Sequence, residues 1–213
     1  MYKTPRINIG YWLFFICIQC SYGLDDNESW TSIGFERNLP YSLELEFEQE
    51  LRLNNQLSTF KQTFSEVSIS YEVFDGLKIQ IPYRYAVFEN KIKQRLSFGG
   101  SYKYSFKPVS LKYRTKFQRT NEDGELPEEL IRNKFTIEYK LGKKIEPYLS
   151  GELFHLYNTN HNQLDGFRVS FGFAVDLPRK NSIKIFYIYK KEDITKSSSD
   201  EINVFGLSYS FKW

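Results

Sequence analysis

From Trp30 to the chain end, apolar and polar side chains alternate with a period of two. The clearest stretch runs through residues 42–53. There Leu43, Leu45, Phe47, Leu51 and Leu53 fall on one face, and Glu44, Glu46, Glu48, Glu50 and Arg52 on the other. On a helix these glutamates would be spread around the cylinder, whereas on a strand they form one row. The pattern recurs through Val67, Ile69, Tyr71 and Val73, then through Leu77, Ile79, Ile81, Tyr83 and Tyr85. It returns again through Phe167, Val169, Phe171, Phe173 and Val175. No helix longer than a turn or two, no linker and no second domain is predicted.

Eleven segments carry the alternation: 30–38, 42–54, 60–73, 77–88, 91–104, 109–119, 131–141, 145–157, 166–177, 182–190 and 201–213. Hairpin chemistry marks short turns at Leu39-Pro40-Tyr41, Phe74-Asp75-Gly76, Phe106-Lys107-Pro108, Gly142-Lys143-Lys144 and Pro178-Arg179-Lys180-Asn181. Between them fall longer polar links at 54–59, 119–130, 157–165 and 191–201, with a tight exception at Glu89-Asn90. Short and long connections thus alternate along an up-and-down meander. Single-chain bacterial barrels have even strand counts, and residues 42–213 supply ten strands of consistent polarity. Residues 30–38 are left as an eleventh strand, as part of a twelve-strand arrangement, or as a piece packed at the barrel mouth.

A soluble barrel turns its apolar face inward, and a membrane barrel turns it to lipid. Segments mostly of 10–13 residues match the roughly 9–11 tilted residues that cross a bilayer. Aromatics gather near segment ends, at Tyr83, Tyr85 and Phe88 and at Tyr102, Tyr104 and Phe106, as interfacial girdles require. The last segment alternates Asn203, Phe205, Leu207, Tyr209, Phe211 and Trp213 with smaller or polar residues up to the chain end. A closing strand of that kind resembles the C-terminal signal read by outer-membrane assembly machinery. The predicted architecture is an all-β, antiparallel up-and-down transmembrane β-barrel of 10–12 strands.

Residues 1–23 read as a cleaved signal peptide, leaving 24–213 as the barrel. Lys3 and Arg6 precede an apolar run from Ile7 to Ile18, and Ser21-Tyr22-Gly23 places small residues before the cut. The run is shorter than the roughly 20 residues of a spanning helix. Both cysteines, Cys17 and Cys20, fall inside it, and the bulky Gln19 before Cys20 fits a lipid-attachment site poorly. Cleavage therefore leaves a chain without disulfide or thiolate ligand, and takes the formal charge from +3 to +1. A balance so near neutral gives no reason to expect a nucleic-acid partner.

Four short stretches carry a family resemblance: Trp30-Thr31-Ser32-Ile33-Gly34-Phe35-Glu36, Glu48-Gln49-Glu50-Leu51-Arg52-Leu53, Tyr83-Arg84-Tyr85 and Asn121-Glu122-Asp123-Gly124. Together they resemble the Bacteroidota outer-membrane family of domain of unknown function 2490. The resemblance implies an outer-membrane barrel in a Gram-negative envelope, and it brings no activity, ligand or catalytic residue with it.

With the apolar face to lipid, the predicted lumen is densely charged. Glu44, Glu46, Glu48, Glu50 and Glu66 form an acidic wall, and Lys78, Arg84, Lys112, Arg114 and Lys116 a basic one. Interlocked, these charges fill the lumen of a structural envelope component. Held apart, they line a narrow passive channel for small polar solutes. A third reading, a secreted soluble barrel with a ligand in an apolar cavity, requires Leu45, Phe47 and Phe171 to point inward. No catalytic residue, metal or cofactor is expected. The only histidines are His155, on the lipid-facing parity, and His161, in a polar link, and neither sits in a nucleophile–base arrangement. The acidic stretch from Asn121 to Glu129 lacks the ligand spacing of a twelve-residue calcium loop. The expected partners are outer-membrane lipid, lipopolysaccharide and the assembly machinery, engaged through the strand ending in Phe211 and Trp213, and the barrel is expected to be monomeric.

Overall fold

The computed structural model describes residues 26–158, 161–195 and 199–213. The predicted signal peptide lies outside them. Eleven strands close into one barrel: β1 (Asp26–Asn38), β2 (Leu43–Asn54), β3 (Thr59–Phe74), β4 (Leu77–Phe88), β5 (Ile92–Phe106), β6 (Val109–Glu122), β7 (Glu128–Tyr139), β8 (Ile145–Asn158), β9 (His161–Asp176), β10 (Ser182–Glu192) and β11 (Asp200–Lys212). A single 3₁₀ turn, Pro178–Lys180, interrupts the β9–β10 connection.

Ten neighbouring pairs are antiparallel, as a meander requires. The eleventh is not. β1 pairs with β11 in parallel, from Asp26 opposite Ile202 to Glu36 opposite Lys212. The leftover segment of the sequence pattern is therefore the closing strand, and it begins four residues earlier than the alternation indicates. An odd count forces this geometry: the first and last strands run the same way, so the seam between them must be parallel. The seam leaves no open edge. Its last bond runs from the Trp213 amide to the Glu36 carbonyl, at 3.0 Å.

The strands run 11 to 16 residues, and eight of the eleven are longer than the predicted segments, with much of the extra length taken from the supposed long links. The 119–130 link shrinks to 123–127, and the 157–165 link to 159–160, with Asn158 paired opposite His161. His161 consequently opens β9 rather than sitting in a loop. Polar residues at the strand ends read as loop in the sequence, but ladder hydrogen bonding needs only backbone, so the sheet continues past the apolar belt. Connections at the two ends of the barrel are now of similar length, with two to five residues on one side and two to seven on the other. Gly76 turns the two-residue β3–β4 hairpin at φ 84°, and a Cβ there would meet the Lys103 carbonyl oxygen at 2.3 Å.

The two faces separate as the alternation predicts. Leu45, Phe47 and Phe171 are 36–38% exposed on the outer wall, alongside Ile69, Ile81, Leu96, Phe98 and Ile185, which are more exposed still. The inner face is marked by charges that meet across non-adjacent strands, Lys78 of β4 with Glu44 of β2 and Arg114 of β6 with Glu152 of β8. Tyr41, Phe74, Tyr104, Phe106, Tyr139 and Trp213 are exposed at or near the end that carries the β1–β2, β3–β4, β5–β6, β7–β8 and β9–β10 connections. Phe88 is an exception to the predicted girdle. It shares parity with Arg84 and Ala86 and faces the lumen, against Lys91 and Lys93.

The lumen as candidate functional site

All ten residues predicted to line a lumen lie on inward parity of β2, β3, β4 and β6. They do not form two separate walls. Glu44 accepts from Lys78 at 2.6 Å and from Lys212 of the last strand at 2.8 Å. Glu66 accepts from Arg84 Nε at 2.7 Å, and Glu50 from Arg52 Nε at 2.5 Å. The two rows are therefore joined at two points, Glu44 with Lys78 across one intervening strand and Glu66 with Arg84 on adjacent strands. Glu46 and Glu48 form no such pair, and Glu46 remains exposed inside the barrel.

The strongest cluster was not legible in the charge rows. Glu152 on β8 is 2% exposed and takes three arginines: Arg168 at 2.5 Å, Arg132 at 2.9 Å and Arg114 at 3.1 Å. A carboxylate shared by three guanidinium groups keeps its charge in a dry site because each lone-pair direction is filled. Only Arg114 of these four was singled out, since the others sit on strands with no obvious charge row. Arg132 and Arg168 also approach the Phe154 ring, at 4.9 and 5.5 Å.

A second cluster crosses β1 to β4. Arg52 stacks 3.6 Å above the Trp30 ring and lies 5.3 Å from Phe64, and Arg84 covers Phe64 at 3.6 Å. The indole Nε1 of Trp30 donates to Glu28, which also accepts from Lys61 at 2.5 Å. Beside it, Trp30, Ile188, Ile202 and Val204 form a buried apolar group with Phe186 packed against it. A signal for this was present in the pattern: Phe64, Phe154, Phe186 and Ile188 are apolar residues on the polar parity of their strands. Such residues cannot face lipid, so they fill the lumen.

Buried inward side chains come from all eleven strands, among them Glu28, Glu50, Phe64, Ala86, Ser97, Gln118, Leu130, Glu152, Ser170, Lys190 and Val204. They pack the half of the barrel nearer the β6–β7 and β10–β11 connections. Toward the opposite end the lumen opens. A cavity of about 420 Å³ is bounded by β5 to β10, with Lys112, Lys134 and Lys184 among its lining. A second, of about 350 Å³, lies between Glu44, Glu72, Lys78 and Lys212.

The remaining polar features of the sequence fall outside the lumen floor. Glu122, in the acidic stretch weighed for calcium, is held by Lys91 and Lys93 at 2.9 Å each. Lys191, read as loop, belongs to β10 and pairs with Glu201 at 2.7 Å. Among the described residues no group of three His, Cys, Asp or Glu side chains is placed to hold a metal ion.

With this architecture in view, the family described as "Protein of unknown function (DUF2490)" matches residues 27–201, from the second residue of β1 to the second of β11. The chain belongs to this family. No curated protein matches the sequence. Among solved structures, a bacterial polysaccharide outer membrane secretin is similar over 72% of this chain and 70% of its own, with a TM-score of 0.50 and 8% identity. A NanC porin is similar over 84% of this chain and 93% of its own, with a TM-score of 0.54 and 10% identity. At such identities the likeness is one of fold, and the fold shared by this member of the family is that of outer-membrane barrels.

Proposed function

We propose that this chain is an outer-membrane β-barrel with a sealed lumen, serving as a structural component of the envelope with no enzymatic step. The observation that carries the reading is the layer of packed side chains drawn from all eleven strands. An open aqueous pore would leave those inward residues accessible to water, yet Phe64, Gln118, Glu152 and Val204 are at most 2% exposed. The apolar outer wall supports a bilayer setting, because so large an exposed apolar surface is stable only against lipid. It also argues against a soluble ligand carrier, which needs Leu45, Phe47 and Phe171 inside. The leader at 1–23 and the aromatic closing strand support export to the outer membrane, with the assembly machinery engaging β11. Lipid and lipopolysaccharide then surround a monomer.

One observation favours the rival reading of a narrow channel. Among the described residues the seal is made of side chains and not of a folded plug, and two cavities already open one half of the lumen. Two measurements test the proposal. Unheated protein from the outer-membrane fraction should migrate faster in dodecyl sulfate gels than boiled protein, and recovery in a soluble fraction without a heat shift would overturn the membrane setting. In planar bilayers the purified barrel should give no steady conductance. A stable ohmic pore from the unaltered chain would replace the sealed reading with the channel.

A further inference from the structure

The larger cavity holds more cations than its own acids neutralise. Five basic side chains line it, Lys103, Lys112, Arg114, Lys134 and Lys184. Two are engaged: Lys103 with Glu138 at 2.5 Å, and Arg114 Nη2 with Glu152 at 3.1 Å. Lys112, Lys134 and Lys184 have no ion-pair partner within 4 Å among the described residues. They are ammonium groups on β6, β7 and β10, pointed into one shared space. Elsewhere in the lumen Glu44, Glu50, Glu66 and Glu152 each hold at least one cation, whereas here three ammonium groups gather around one space without a partner.

Arg114 of the lining and a residue paired with the cavity wall carry a second, independent sign of an absent partner. Arg114 Nε and Ser150 Oγ are both buried without a hydrogen-bond partner. Register places Ser150 opposite Thr136 of the cavity wall, and Arg114 opposite Lys134. A buried donor left unpaired costs about 1–3 kcal/mol, and Arg114, the one of the two that lines the cavity, would gain a partner from an anion there.

The acids of the cavity sit at its mouth. Glu146 is the second residue of β8 and Asp176 the last of β9, whereas Arg114 and Lys134 lie five residues inside their strand ends. At the mouth these two carboxylates are outnumbered. The three hairpins overhanging the cavity expose Lys107, Lys140, Lys143, Lys144, Arg179 and Lys180, none of them in an ion pair. A basic rim above a basic pocket concentrates anions and raises their rate of arrival. The volume of about 420 Å³ falls in the range of small-molecule sites.

We infer that this cavity binds a small carboxylate- or phosphate-bearing solute, held by Lys112, Lys134, Lys184 and Arg114 and gathered by the basic hairpin rim. The inference deepens the sealed-barrel reading, since a sealed lumen holds the solute instead of passing it. The two fail separately: conductance addresses the seal, and equilibrium binding addresses the pocket.

The test is calorimetric titration of the full-length barrel, in zwitterionic detergent at low salt, with citrate and with inorganic phosphate. Unaltered protein should bind at least one of them, and Lys112→Gln with Lys134→Gln should weaken binding at least tenfold. Lys184→Gln, nearer the mouth, should weaken it less and provides a readout if the double variant fails to assemble. Neutralising Lys143, Lys144, Arg179 and Lys180 should flatten the salt dependence while leaving a measurable site. No binding by the unaltered protein at millimolar anion would overturn the inference. Binding unchanged in the lumen variants but lost in the rim variant would overturn it too, placing the anion on the outer hairpins.

Discussion

Phe186 lies over Gly206: a Cβ built on that glycine would stand 1.9 Å from Cε2 of the ring and 2.0 Å from Cζ. The two are register partners on β10 and β11, on the lumenal face beside the buried Trp30 group. The absent side chain on one strand is therefore filled by the ring of its neighbour. Gly206→Ala should force the ring out of its place at a cost of about 1–3 kcal/mol, the usual range for overpacking. Pairing it with Phe186→Ala should give less than the sum of the single effects in denaturant unfolding of the micelle-bound barrel. Strict additivity would mean that the ring and the glycine are not coupled.

Glu152 is the residue whose loss should be felt most. Glu152→Gln leaves Arg114, Arg132 and Arg168 crowded without a counter-charge, and breaking a buried pair in this way costs about 3–5 kcal/mol. Arg114→Gln should cost much less, because two guanidinium groups remain on the carboxylate. The temperature at which the compact gel form is lost orders the two variants. Equal loss in both would show that Glu152 is not the organising charge.

The alternation announced a barrel because lipid and lumen select different side chains along every strand, and that contrast is written locally. Closure was not written locally. Asp26 meets Ile202 across 176 positions, and nothing near residues 26–38 indicates that its partner is the last strand, or that the pairing is parallel. The lumen was legible as a face but not as a volume. Glu44, Glu66, Lys78 and Arg84 could be assigned inward from parity alone, whereas their pairing, and the convergence of three strands on Glu152, depends on how far each strand is staggered against the next. The link lengths misled for a related reason, since polar residues above the apolar belt continue the ladder as readily as apolar ones.

Opening the seal should convert the barrel into a selective pore. Arg52→Ala with Phe64→Ala removes the stack that joins Trp30, Arg52, Phe64 and Arg84. Conductance should appear in planar bilayers where the unaltered chain gives none. In that opened background Glu46→Lys should shift the reversal potential toward anions, and Arg114→Glu toward cations, because the two lie on the unsealed path. Failure of the double variant to conduct would place the constriction at the Glu152 cluster instead.

Both cysteines of the chain, Cys17 and Cys20, precede the described residues, and residues 26–213 contain none, so single cysteines can report which solvent each face meets. Phe47 and Glu46 are neighbours on β2 with opposite parity, and Glu50 shares the parity of Glu46 four residues further along the strand. Phe47 is 38% exposed on the outer wall, Glu46 is exposed inside, and Glu50 is 7% exposed within the packed layer. Phe47→Cys should therefore react with a membrane-soluble maleimide and resist a charged methanethiosulfonate. Glu46→Cys should show the reverse, and only when reagent reaches the end of the barrel that bears the C-terminus. Glu50→Cys should resist both, and should become reactive to the charged reagent once Arg52 and Phe64 are truncated. Reaction of Glu50→Cys in the otherwise unaltered barrel would mean that water already threads the layer, whereas charged labelling of Phe47→Cys would mean that the apolar wall does not face lipid.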